Sequence, residues 1–331
     1  MTAFIGRREF ITLLGGAAAV WPLAARAQQA MPVIGLLTSG SRDANVSNVA
    51  EFRKGLHDAG YVEGQNVMME YRWDDGQYGR MPELAAELVR RRVAVIATPG
   101  SPPAARAAKA ATATIPIVFG IGEDPVKLGL VASLDRPGGN LTGINFFSGE
   151  LVAKRLGLLR ELLPGATRVA LLVNPADSAR AEYVLSEAQT AARVLGLQIE
   201  ILKASTVQEI NAAFATLMRD PADALFVGPD GFFNTRRVQF ANLAARHRLP
   251  TTFAVRNYVE VGGLMSYGTD LGGMFREVGV YTGRILKGAK PADLPVLQST
   301  KFELVINIQT ARMLELEIPP TLLAHTDEVI E

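Results

Sequence analysis

Side chains able to hold a small polar molecule recur in this sequence at one kind of place, directly after short β-branched runs. The run Val33-Ile34-Gly35-Leu36-Leu37 ends in Thr38, Ser39 and Ser41, and a second run ends in Trp73, Asp74, Asp75 and Tyr78. A third leads to Thr98, Gly100 and Ser101, and a fourth to Gly120-Ile121-Gly122-Glu123-Asp124-Pro125. Later in the chain Asn145, Phe146, Asn174 and Asp230 hold equivalent places, as do Phe232, Phe253, Arg256, Tyr258 and Tyr267. Hydroxyls and free amides at helix starts suit a carboxylate. Asp124 or Asp230 could meet an amine, and the aromatics offer flat apolar walls. Each residue also fits a plainer role. Ser39 and Ser101 suit helix caps, and Asp124 before a proline suits a turn. One member each of Phe146-Phe147 and Phe232-Phe233 would face a core, because strand neighbours point opposite ways. Their collective position is what points to a binding site.

Signatures of catalysis are missing. The three histidines, His57, His247 and His325, are isolated from one another, and a lone helical histidine is normally a surface or core residue. The chain has no His-Glu-x-x-His, no Walker loop and no Gly-x-Ser-x-Gly. Gly120-Ile121-Gly122 follows a strand but lacks the third glycine of a dinucleotide fingerprint, because Pro125 falls where the turn should tighten. The absence of cysteine excludes thiol nucleophiles, Cys-ligated zinc, iron–sulfur clusters and a lipid-anchored N-terminus. No enzyme activity, metal or cofactor is expected.

Loops of this kind need rigid elements behind them. The 331 residues suggest two domains at about 150 residues each. A hydrophobic fraction of 48% against 20% charged is that of a globular chain with a sizeable core. The formal charge of +1 implies no surface for nucleic acid. Short strands alternate with helices whose apolar residues recur at helical spacing, as in Val49, Phe52, Leu56 and Ala59. The alternation restarts after Gly143-Ile144 with Val152, Leu156, Leu159 and Leu163. Two such series predict an α/β fold of two doubly wound parallel sheets with right-handed crossovers. The tail departs from the pattern, with a strand at Leu264–Tyr267, a helix at Met274–Lys287, and a strand at Lys301–Ile308. A short helix through Leu314 and a Pro319-Pro320 stop end it.

The first 27 residues read as an export leader. Arg7-Arg8 precedes the apolar run Ile11 to Trp21, about eleven residues long, well short of the ~20 that span a bilayer. Ala25-Arg26-Ala27 then fits signal peptidase, with Gln28 as the new N-terminus. The paired arginines fit the twin-arginine route, and the general secretory route is the alternative. Both lead to the periplasm. Cleavage removes three arginines and one glutamate and leaves a net charge of −1. No later apolar stretch is long enough for membrane insertion.

Nearly all of the chain after residue 30 resembles the substrate-binding proteins of ABC importers in the tryptophan/tyrosine-type family. The resemblance rests on an ordered set of segments. They are Phe52-Arg53-Lys54-Gly55-Leu56 through Gly60-Tyr61-Val62-Glu63-Gly64-Gln65-Asn66, then Ile115-Pro116-Ile117-Val118-Phe119 with Asp124-Pro125-Val126. Gly129 to Leu134, Arg136-Pro137-Gly138-Gly139-Asn140-Leu141-Thr142-Gly143 and Gly262 to Gly268 complete it. This resemblance implies a type I periplasmic binding protein-like fold, two lobes joined by a three-crossing hinge near Asn145, Thr269 and Ser299. Lobe 1 would be 31–144 plus 270–298, and lobe 2 145–269 plus 299–331. It implies a small-molecule ligand held between the lobes and delivered to an ABC permease and its ATPase. Matching loop positions are Ser39, Thr98, Ser101 and Asp124 in lobe 1, and Asn145, Asp230 and Phe253 in lobe 2, with Trp73 and Tyr267 as aromatic walls. Pro99-Gly100-Ser101-Pro102-Pro103 departs from the Ala-rich loop of many relatives. It stiffens a ligand-facing loop and admits a small aromatic acid as well as an amino acid. A ligand-sensing module for a membrane receptor and an exported α/β enzyme are the competing readings. On the importer reading, Asp124→Ala and Phe253→Ala weaken ligand binding and spare the fold.

Overall fold

The computed structural model describes residues 31–146, 149–298 and 301–331. The leader expected over residues 1–27, Phe147 and the crossing expected near Ser299 lie outside them. The first series runs β1 (Val33–Thr38), α1 (Val46–Asp58), β2 (Met68–Trp73), α2 (Met81–Arg90), β3 (Val95–Pro99), α3 (Pro102–Ala111), β4 (Ile117–Ile121) and β5 (Leu141–Asn145). The second runs α4 (Gly149–Leu162), β6 (Arg168–Val173), α5 (Ser178–Leu195), β7 (Gln198–Lys203), α6 (Val207–Arg219), β8 (Ala224–Val227), α7 (Gly231–Thr235), α8 (Arg237–Arg246), β9 (Thr251–Phe253) and β10 (Met265–Thr269). The tail adds α9 (Leu271–Leu286), β11 (Leu297–Gln298), β12 (Phe302–Asn307), α10 (Ile308–Met313), α11 (Pro320–Ala324) and β13 (Glu328–Ile330).

These strands build two sheets, ordered β11-β5-β4-β3-β1-β2 and β13-β12-β10-β9-β8-β6-β7. The first is parallel throughout, and the second is parallel except where β12 runs against β10. The central strands β3, β4 and β8 are buried along their whole length, as their continuous apolar runs require of strands covered on both faces. On the first sheet, Leu88 of α2 and Ala105 of α3 pack with Ile96 and Phe119 on one face. Phe52 of α1 and Phe275 of α9 pack with Ile34 and Val118 on the other. On the second sheet, Leu156 of α4 and Val184 of α5 cover one face, and Phe214 of α6 and Phe240 of α8 the other. The chain passes between sheets after β5, after β10 and after β11.

Helix α9, far along the chain, lies against α1 with backbone touching backbone. A Cβ on Gly55 would fall 1.9 Å from the Arg276 carbonyl oxygen, and one on Gly279 would fall 2.2 Å from that of Phe52. This is why the helix spacing around Phe52 and Leu56 carries a glycine in its middle despite the propensity penalty.

Four expectations are corrected. β11 and β13 have two and three residues and were not anticipated, being too short to show a period. Pro319-Pro320 does not end the chain's structure. Pro320 opens α11, where its missing N–H is no loss. Phe232 and Phe233 lie on a helix, and both are buried. The strand expected over Lys301–Ile308, β12, runs antiparallel to β10, so the second sheet is mixed rather than wholly parallel.

Candidate functional site

The carboxyl ends of β1 and β3 in one sheet face those of β8, β9 and β10 in the other across a cavity. β1 delivers Thr38, whose hydroxyl donates to the Pro99 carbonyl at 2.7 Å, and then Ser39. The Ser39 and Ser101 hydroxyls lie 2.6 Å apart, and Ser101 Oγ also accepts from the Ala104 amide as the cap of α3. Asp74 follows β2 and is fully buried. Its Oδ1 accepts from the Gly40 amide at 2.7 Å and the Gly76 amide at 2.9 Å, tying the first two loops together. Burial raises the Asp74 carboxyl above its ordinary range, and those two amides offset part of the effect.

From the second sheet, β8 ends in Gly228-Pro229-Asp230, and Asp230 caps α7 by accepting from the Phe233 amide at 2.9 Å. The same Oδ1 accepts from Asn174 at 3.1 Å, and Oδ2 accepts from the Tyr78 hydroxyl at 2.6 Å. Burial pushes the Asp230 carboxyl up, against the pull of these donors. Burial, then the Asp230 charge, push the Tyr78 phenol well above its usual value.

Tyr78 lies in the first unit and Asp230 in the second, so this bond spans the cleft. Arg180 of α5 spans it too, donating to Glu123 at 2.7 Å, and Arg106 of α3 reaches Asp177 at 3.3 Å. Burial opposes the Arg180 charge, but Glu123 and Asp177 together hold it firmly protonated. The two units touch closely enough that a Cβ on Gly231 would fall 2.7 Å from that of Ser39. This arrangement is a closed cleft.

Arg155 of α4 lies in the cavity wall, 2% exposed. Its guanidinium lies 3.8 Å over the Phe226 ring. Nη2 donates to the Val227 carbonyl at 2.6 Å and, at 3.4 Å, to that of Thr252. Nε has no partner among the described residues, and no carboxylate among them reaches the group. Burial pushes its pKa down to about 9, so it is still a cation at neutral pH. Phe146, Tyr258, Tyr267 and Phe275 supply the apolar wall.

Of the residues expected from sequence, Ser39, Asp230 and Tyr267 line this cavity, and Ser101 stands behind Ser39. Thr38, Gly100, Phe146 and Tyr258 from the same loops line it as well, whereas Thr98, Asn145, Trp73, Asp124 and Phe253 lie outside the lining. Thr98 is buried in β3. Asn145 is buried at the end of β5 and donates to the Ile121 and Glu123 carbonyls, which positions the loop that carries Glu123. Trp73 stacks on Tyr71 along β2, with ring centres 6.2 Å apart. Asp124 folds back on its own turn, accepting from the Val126 amide at 2.8 Å and the Lys127 amide at 3.2 Å. Phe253 is fully buried and stacks on Tyr258 at 4.3 Å. Sequence reasoning missed Arg155 and Arg180. For Arg155 there was a signal, a charged residue within the apolar stripe of Val152, Leu156 and Leu159.

A family model described as ABC transporter substrate binding protein matches residues 33–330. The chain belongs to that family. The family binds solutes and is not one of enzymes. A tyrosine-binding protein of Clostridioides difficile (strain R20291) is 26% identical over 266 residues, covering 80% of this chain and 76% of the relative. A conserved domain protein from Vibrio cholerae has a TM-score of 0.83 at 26% identity, covering 91% of this chain and 100% of that one. The ABC domain in complex with L-Trp from Streptococcus pneumonia has a TM-score of 0.81 at 25% identity over the same shares. The α/β fold with its two mostly parallel sheets is therefore of the type I periplasmic binding protein kind. Among the described residues, no helix is long and apolar enough to cross a membrane.

Proposed function

We propose that this chain is the exported solute-capturing component of an ABC importer, and that it holds a small carboxylate-bearing ligand between its two sheets. The observation that carries this reading is Arg155, a buried guanidinium in the wall of a closed cleft, with no carboxylate partner among the described residues. A ligand carboxylate matches its planar fork, and the aromatic wall suits a flat apolar body. The relatives that carry tyrosine or L-Trp in their descriptions agree with an aromatic ligand of this kind.

The two sheets act on this reading as lobes, 31–144 plus 270–298 and 145–269 plus 299–331, with hinge bending at the crossings. Contacts such as Tyr78 to Asp230 and Arg180 to Glu123 exist only when the lobes are together, so a ligand touching both shifts the balance toward closure. The closed form then delivers its ligand to a membrane permease driven by a separate ATPase. The leader is removed between Ala27 and Gln28, which places the protein in the periplasm.

The test is a thermal-shift screen against amino acids, aromatic acids and small carboxylates, followed by calorimetry on each hit. A ligand at 100 times its Kd adds about 2.7 kcal/mol and moves the melting temperature by a few degrees. A hit whose cellular uptake disappears when the gene is deleted supports the reading. A flat result over the whole panel overturns the ligand class.

A further inference from the structure

We infer that the cleft selects ligands with one net negative charge, aromatic carboxylates that carry no ammonium group, and that Arg155 sets this choice. The inference rests on the reading of the cleft as the ligand site.

Three of the described residues that line the cavity are charged: Arg155, Arg180 and Asp230. Arg180 is balanced within the protein by Glu123 at 2.7 Å and Asp177 at 3.8 Å. Asp230 is committed as well, with two donors on one oxygen and the Tyr78 hydroxyl on the other. These three donors fill most of the roughly four acceptor sites of that carboxylate, so at most one, on Oδ2 beside the Tyr78 hydroxyl, is left for a ligand ammonium.

Arg155 is in the opposite position. Two backbone carbonyls and the face of Phe226 solvate it in part, while Nε has no partner among the described residues. A buried cation without a counter-charge is strongly disfavoured, and carbonyl dipoles and a ring face offset only a fraction of that. A bound carboxylate supplies the missing charge. An amino acid would bring that carboxylate and also an ammonium, for which the described residues of the lining offer no uncommitted acid.

The other unpartnered polar atoms in the lining are neutral. Asn234 Oδ1 and Thr269 Oγ1 are buried with no hydrogen-bond partner among the described residues. They can accept from a hydroxyl or ring N–H on the ligand, but they carry no charge to neutralise an ammonium.

The test is calorimetry on the purified protein with three ring systems, phenyl, 4-hydroxyphenyl and indole. Each is presented as the propanoate, as the α-amino acid and as the ethylamine. The expected result is that at least one propanoate binds tenfold or more tighter than its amino acid, with no heat from any amine. An amino acid that binds as well as or better than its propanoate overturns the selection of anions and leaves the cleft as the ligand site. No binding by any of the nine overturns both. Arg155→Gln keeps a donor for the Val227 carbonyl and removes the charge. It should weaken the propanoate at least 100-fold, while Arg155→Lys recovers part of the loss. Unchanged propanoate binding by Arg155→Gln also overturns the proposal. If that variant does not fold, the ligand series on the unmodified protein decides alone.

Discussion

The Tyr78 hydroxyl donates to the Asp230 carboxylate at 2.6 Å, joining the loop after β2 to the start of α7 across 152 positions of sequence. The same hydroxyl oxygen accepts from the Phe232 amide at 3.2 Å, so one phenol seals both the cap and the cleft. Asp230 therefore joins the two sheets from inside the lining of the cavity.

Tyr78→Phe removes that donor and leaves the ring in place. Hydrogen bonds to a charged acceptor contribute about 1.5–3 kcal/mol, so ligand affinity should fall about tenfold or more. Calorimetry reads the loss, and small-angle scattering should show a more open protein at sub-saturating ligand. Unchanged affinity would mean that the bond is not part of closure.

Gly55→Ala and Gly279→Ala should each destabilise the first unit. The added methyl would press on a backbone carbonyl at 1.9 Å and 2.2 Å respectively, where no side chain can move aside. The overpacking outweighs the roughly 1 kcal/mol of helix propensity that alanine adds, for a net loss of about 2 kcal/mol. Urea denaturation checks this, and a stabilised variant would contradict the close helix contact.

Asp124→Ala and Phe253→Ala now separate. Asp124 serves its own turn, so its loss should reduce stability by about 1 kcal/mol and leave ligand binding unchanged. Phe253 is a fully buried ring against Tyr258, and its truncation should reduce stability by about 3–5 kcal/mol. Ligand binding would weaken as well, because Tyr258 loses the surface that positions it in the wall. Thermal melts paired with calorimetry distinguish the two cases.

Asp223 joins β6 to the turn before β8, accepting from the Thr167 amide at 2.6 Å and the Arg168 amide at 2.8 Å. The Arg168 amide first, then that of Thr167, holds its carboxyl below the ordinary range. A depressed carboxyl contributes stability that is complete above its unfolded value of about 3.9 and is lost as pH falls through the folded value. Asp223→Asn should therefore be less stable by about 1 kcal/mol at pH 7, a figure reduced for solvent exposure. The gap to the unmodified protein should close as pH falls from about 4 toward 2. A gap that does not change with pH would assign the effect to packing.

Local patterning carried the alternation of strands and helices, the two sheets, and the places where ligand-facing loops begin. Each follows from periods of two or 3.6 residues and from cap and turn chemistry that acts within a few positions. Ser101, Thr206 and Asp230 cap their helices as their residue types suggest. Which loop residues face the cavity was decided only by the packing of two sheets against each other. The second loop shows this directly. Trp73 stacks back along β2, while its neighbours Asp74 and Tyr78 tie the loops and bridge the cleft. Neither the pairing of Gly55 with Gly279 nor the lack of a carboxylate partner for Arg155 among the described residues is written at any single spacing. Both arise from groups brought together by the tertiary fold, where contact and burial, not local period, determine the energy.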